Sequence, residues 1–153
     1  MGLEKIKKIN TSKNRLIIIK KSLISDSLYY QLISPQFKLM IKHFIFLRND
    51  LSFNTGALFA QVSHVTVKCI HEFLDDPTTK QFMIDPNMTT VVLQINDDEL
   101  SELKLYLNDV KIGYSEWLEH PENVITALAI KPIVLEENKE LLEFIKKYKL
   151  FRK

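Results

Sequence analysis

Four short apolar runs, separated by stretches in which apolar residues return every three or four positions, constrain the fold of this chain most. Phe44-Ile45-Phe46-Leu47 is continuous and bounded by charge, the pattern of a strand buried on both faces. Thr90 to Ile95 is β-branched and apolar and reads as a second central strand. Tyr114 to Leu118 alternates as an edge or half-covered strand does, and Val124 to Ile130 reads as the last buried strand. Between the first two runs, Leu58, Val62, Val65, Cys69 and Phe73 form one stripe on a helix of about five turns. Asn54 or Thr55 can cap that helix, and Asp75-Asp76-Pro77 ends it. Thr78 to Ile84 reads as a short helix. Asn96 with Glu99 opens another, with Leu100, Leu103, Leu107 and Val110 as its stripe and Gly113 suited to its end. Glu136 to Tyr148 reads as the closing helix, with lysines at the end that favours cations. Strands separated by helices call for parallel crossovers, whereas the short link from Leu118 to Val124 calls for an antiparallel pair. The expected fold is α/β, a three-layer α/β/α arrangement on a mixed four-stranded sheet.

Charge divides the chain. Residues 1 to 42 carry a balance of +7 and the remainder −5, within an overall +2. The expected division is a basic extension over residues 1–41 and a domain over 42–153. Three readings fit the leader: an organellar transit peptide, an arm attracted to nucleic acid, or a drifted extension without a role. A secretory signal does not fit, because no apolar core of roughly 7–15 residues lies among the lysines. No apolar run is long enough to span a membrane. The expected setting is cytoplasmic, or mitochondrial or another organelle if the leader is a transit peptide. At 153 residues, 46% of them apolar, the chain can bury a real core. Its single cysteine, Cys69, excludes an internal disulfide and a multi-cysteine zinc site, and reads as a buried small hydrophobe.

The segment from Arg48 to Lys68 holds the most chemistry. A strand ends there, a polar loop follows and a helix begins, the place where open α/β sheets gather ligands against unpaired N–H groups. Gly56 permits close approach of a phosphate or carbonyl. Gln61, His64 and Lys68 share a helix face offset from the apolar stripe. That face reads either as merely solvated or as an amide, an imidazole and a cation gathered beside one helix start. His43 and His71 have structural readings; His71-Glu72 imitates H-E-x-x-H but lacks the second histidine. Trp117 reads as core, or as a surface on which a nucleobase stacks. The lysines after Glu143 read as a solvated helix end or as phosphate contacts.

Arg48-Asn49-Asp50-Leu51 followed by Ala60-Gln61-Val62-Ser63-His64 resembles the R-x-D-L…A-Q-x-S-H signature of the type 2 peptidyl-tRNA hydrolases. Thr126 to Pro132 resembles that family's final strand, T-V-L-A-I-G-P. Gly56-Ala57-Leu58, Trp117 to Asn123 and Lys149-Leu150-Phe151 resemble a divergent, domain-containing branch of the family. The resemblance spans about residues 42–153. It implies an α/β/α fold and hydrolysis of the ester joining a peptide to the 3′ acceptor end of tRNA. It implies no metal or organic cofactor; no membrane partner is expected, since no apolar run spans a bilayer, and oligomeric state is left open, a homodimer included. Where the family loop reads D-L-K-M-G-K-G-K, the lysine positions hold Ser52, Thr55 and Ala57, so the family's central lysine has no counterpart here.

Ester hydrolysis needs a base for the attacking water and donors for the oxyanion. The candidate catalytic residues are His64, Glu119, Gln61 and Asp50. His64 is the general base, Glu119 orients it or itself acts as the base, and Gln61 serves the oxyanion or a phosphate. Asn54, Gly56, Ser63, Lys68, Asn123 and Thr126 are the candidate substrate-binding residues. This scheme expects the Glu119 loop to lie over the start of the His64 helix. Its runner-up is a non-catalytic tRNA- or protein-binding module on the same fold, and a third reading is hydrolysis of a different ester or amide.

Overall fold

The computed structural model describes residues 7–10, 16–19 and 39–152. The chain divides between residues 38 and 39 into two units. In the first, β1 (Lys7–Asn10) and β2 (Leu16–Ile19) pair antiparallel, with Lys7 opposite Ile19. The readings of the leader as transit peptide, nucleic-acid arm or drifted extension fall largely outside the described residues.

In the second unit β3 (Ile41–Arg48), β4 (Thr90–Ile95), β5 (Tyr114–Glu119) and β6 (Val124–Val134) form one sheet in the order β4-β3-β6-β5. β3 and β4 are parallel, and β6 runs antiparallel to both β3 and β5. The sheet is therefore mixed, and β3, β4 and β5 all end at one edge, beside the start of β6. Side-chain alternation along β3 builds the layers. Ile45 and Leu47 meet Leu58, Val65 and Cys69 of α1 (Thr55–Glu72). Phe44 and Phe46 meet Leu100, Leu103 and Leu107 of α3 (Asp97–Asp109), and Leu141 and Ile145 of α4 (Lys139–Ile145). The short α2 (Pro77–Ile84) adds Phe82 beside Ile41 and Val134. Each fully buried side chain of this size contributes about 1.5–3 kcal/mol.

Local signals set the helix starts. Asn54 Oδ1 accepts from the Ala57 N–H, and Asn96 with Glu99 forms a capping box. Asp76 caps α2, with Pro77 in its first turn.

Four expectations need correction. The Thr90–Ile95 strand is a sheet edge, not a central strand. It is apolar because the chain end covers it: Gln94 N–H donates to Lys149 O at 2.9 Å, and Phe151 N–H to Val92 O at 3.0 Å. The last strand continues through Lys131-Pro132 to Val134, across a register shift that accommodates the proline. The closing helix is split into a 3-10 turn, Leu135–Glu137, and α4, because Asn138 leaves the helical conformation. Lys146, Lys147 and Lys149 thus lie past the end of α4. Gly113 is not a helix cap: the left-handed residue after α3 is Lys111, and a side chain at Gly113 would collide with the Phe73 ring.

Candidate active site

α1 begins at the sheet edge where β3, β4 and β5 end. On one side of α1 Gln61 is buried, Lys68 is half-buried and His64 is exposed. They run down the side of the helix turned toward β5 and β6. Thr126 Oγ1 donates to Gln61 Oε1 at 2.7 Å, the His64 ring stacks on Trp117, and Lys68 Nζ donates to Glu116 O at 2.9 Å. Below them Ser115 Oγ donates to Glu72. The Gln61 NH₂ group donates to no described residue, yet it is not sealed from solvent.

A β-bulge makes the Gln61–Thr126 bond possible. Trp117 pairs with Ala127 and Leu118 with Ile125, so Thr126 has no partner across the ladder. The extra residue breaks the alternation. Thr126 and Ala127 both face α1, while Ile125 packs in the cluster on the opposite side of the sheet.

The Glu119 turn does lie beside α1, through Trp117. The imidazole and indole centroids are 4.5 Å apart with the planes 23° from parallel. Trp117 Nε1–H donates to Glu119 Oε2 at 2.7 Å. Among the described residues the His64 ring nitrogens have no hydrogen bond, and the Glu119 carboxylate accepts from the indole rather than from His64.

Asp50 is engaged as an ion-pair partner. Arg48 Nε donates to its Oδ1 at 2.6 Å and Arg48 Nη2 to its Oδ2 at 2.9 Å. Arg48 Nη1 also reaches Asp97 Oδ1 at 2.6 Å and Ile125 O at 3.2 Å. The Asp97 N–H donates to Asp50 Oδ2. The Arg48 hydrogen bonds hold the Asp50 carboxyl below its ordinary range, and Asp50 in turn raises Arg48. This cluster locks the end of β3, the first turn of α3 and the start of β6 around the site, so Asp50 supports the geometry instead of presenting a free carboxylate.

Residues 41–151 match the family described as Peptidyl-tRNA hydrolase PTH2. The chain belongs to that family. A mouse (Mus musculus) protein named "Putative peptidyl-tRNA hydrolase PTRHD1" is 34% identical over 127 residues, covering 78% of this chain and 86% of that protein. The human (Homo sapiens) protein of the same name is 33% identical over 120 residues, covering 74% and 84%.

In this PTH2-family chain the remaining sequence candidates are scattered in role. Asn54 is committed to its cap. Gly56 lies in the exposed first turn, where its N–H and that of Thr55 have no partner among the described residues. Ser63 is exposed on α1, away from the Gln61–His64 side. Asn123 takes a left-handed conformation in the β5–β6 turn and donates to Pro121 O, a turn-forming role. Cys69 is buried, and burial pushes its thiol up to about 11, far from a nucleophile. No helix of the described residues is long and apolar enough to cross a membrane. Sequence reasoning gave Trp117 only a core or base-stacking reading and left Arg48 out of the site. The signal for Trp117 was period two: Ser115, Trp117 and Glu119 share the face of β5 that meets α1.

Proposed function

We propose that this protein hydrolyses the ester between a peptide and the 3′ acceptor end of tRNA, releasing free tRNA and peptide. The observation that carries the reading is the placement of Gln61, bonded to Thr126, one turn before a His64 imidazole whose nitrogens have no hydrogen bond among the described residues, at the carboxyl edge of the sheet. In this reading His64 takes a proton from water as the water oxygen bonds to the ester carbonyl carbon. The Gln61 NH₂ and the open N–H groups of Thr55 and Gly56 meet the oxyanion. The tetrahedral adduct then expels the ribose oxygen, which recovers the proton from the imidazolium, and the peptide leaves as a carboxylic acid that releases its proton to water. The reading assigns no metal or organic cofactor.

A second reading, a tRNA- or protein-binding module without turnover, draws support from charge. The loop and first turn of α1 carry Ser52, Thr55 and Ala57 where the family has lysines. The same edge of the sheet holds Asp50, Asp97, Asp98, Glu119 and Glu122, a poor surface for phosphates, so within this second reading charge favours a protein partner over tRNA. Incubation with N-acetyl-aminoacyl-tRNA, with binding followed against salt, separates the two. Turnover lost in His64→Ala supports the hydrolase. Salt-sensitive binding without turnover supports the tRNA-binding module, and absence of binding at low salt overturns both the hydrolase and that module, leaving the protein-binding form.

A further inference from the structure

We infer that Trp117 is the positioning residue for His64, with Glu119 anchoring the indole; the catalytic part of this inference rests on the hydrolase reading above. His64 is exposed on α1, and among the described residues no hydrogen bond holds its ring. An imidazole so placed samples several rotamers, and a general base must hold one. Among the described residues, the contact that defines its plane is the stack on Trp117, 4.5 Å between centroids and 23° from parallel. A stack fixes the plane of the ring while leaving both nitrogens on its rim free for water and substrate. A hydrogen bond from Glu119 to His64 would instead have occupied one of them.

The indole is itself fixed from two sides. Its body packs with the cluster around Leu58, Val65 and Cys69, and its N–H is tied to Glu119 Oε2 at 2.7 Å. The carboxylate therefore acts on His64 through an intervening ring. Negative charge on the N–H side of the indole strengthens the attraction of its face for positive charge, the charge His64 acquires as it takes the proton from water. Glu119 thus orients and supports the base without touching it.

Three variants of the full chain test this: Trp117→Leu, Trp117→Phe and Glu119→Ala. Two readouts are followed, the NMR shifts of the His64 ring protons and the kcat and KM for N-acetyl-aminoacyl-tRNA. In the wild type the indole ring current moves the His64 ring signals upfield. Trp117→Leu abolishes that displacement and lowers kcat on the order of ten-fold with little change in KM. Trp117→Phe keeps a ring under His64, retains part of the displacement and recovers most of kcat. Glu119→Ala weakens both readouts. Unchanged His64 shifts in Trp117→Leu overturn the stack as the orienting contact. Lost displacement with wild-type kcat overturns the catalytic part of the inference. A wild-type protein without turnover sinks the hydrolase reading and that catalytic part together, and the shifts alone then decide whether Trp117 positions His64.

Discussion

The Thr126 hydroxyl donates to Gln61 Oε1 at 2.7 Å, and both side chains are almost wholly shut off from solvent. This bond ties the helix that carries the site to the bulged strand beneath it. Thr126→Val leaves the Gln61 carbonyl oxygen buried without a donor, at a cost of about 1–3 kcal/mol. The double variant Gln61→Leu/Thr126→Val removes both partners and costs less than the sum of the single changes. Urea unfolding of the four proteins in a double-mutant cycle checks this.

Arg48 joins three chain segments with one guanidinium, so Arg48→Met frees the end of β3, the start of α3 and the start of β6 together. The loss is roughly 2 kcal/mol, below that of a fully buried pair because Asp97 is largely exposed. Arg48→Lys recovers little of it, since an ammonium cannot replace the planar fork that spans Asp50 and Asp97. The denaturation midpoints of the two variants give the comparison.

His43 makes the fold acid-sensitive. It is fully buried with no hydrogen bond on either ring nitrogen, edge-on to Phe82 with centroids 5.6 Å apart. Burial lowers its pKa from 6.5 to about 4. Above pH 6.5 the ring is neutral in folded and unfolded chain alike, so nothing is lost there. Below it the unfolded chain takes a proton that the folded chain refuses, and stability falls by about 1.4 kcal/mol per pH unit, about 3 kcal/mol by pH 4. His43→Leu removes this component. Its stability, followed by denaturant unfolding from pH 7.5 to pH 4.5, declines less steeply than that of the wild type.

Gly113 is held by a neighbour rather than by its own backbone, since its φ is not positive. An added Cβ would lie 2.5 Å from an atom of the half-buried Phe73 ring. Gly113→Ala is therefore destabilising, by about 1–3 kcal/mol of overpacking. Gly113→Ala/Phe73→Leu makes room, so its melting temperature drops less than the two single changes together predict.

Much of the frame was legible in the sequence. The strands at Phe44 to Leu47, Thr90 to Ile95, Tyr114 to Leu118 and Val124 to Ile130, the α1 stripe and the Asn96 capping box all appear in the structure. Each rests on residues a few positions apart, and spacing along the chain displays such relations directly. The split of the last helix at Asn138 and the covered edge of β4 were not legible. The first turns on one backbone conformation, the second on a segment more than fifty residues away.

By itself, then, the sequence determined the alternation of strands and helices, the mixed sheet and, through its motifs, the family to which the chain belongs. Only the tertiary structure decided how the site residues meet. Gln61 sits inside the molecule although its helical spacing also suits a surface, because β6 supplies Thr126 opposite it. His64 lies on Trp117 and not against Glu119, and Asp50 is held by Arg48. A bulge reverses which side chains of a strand face a helix, and no local periodicity encodes the residue that waits on the other side.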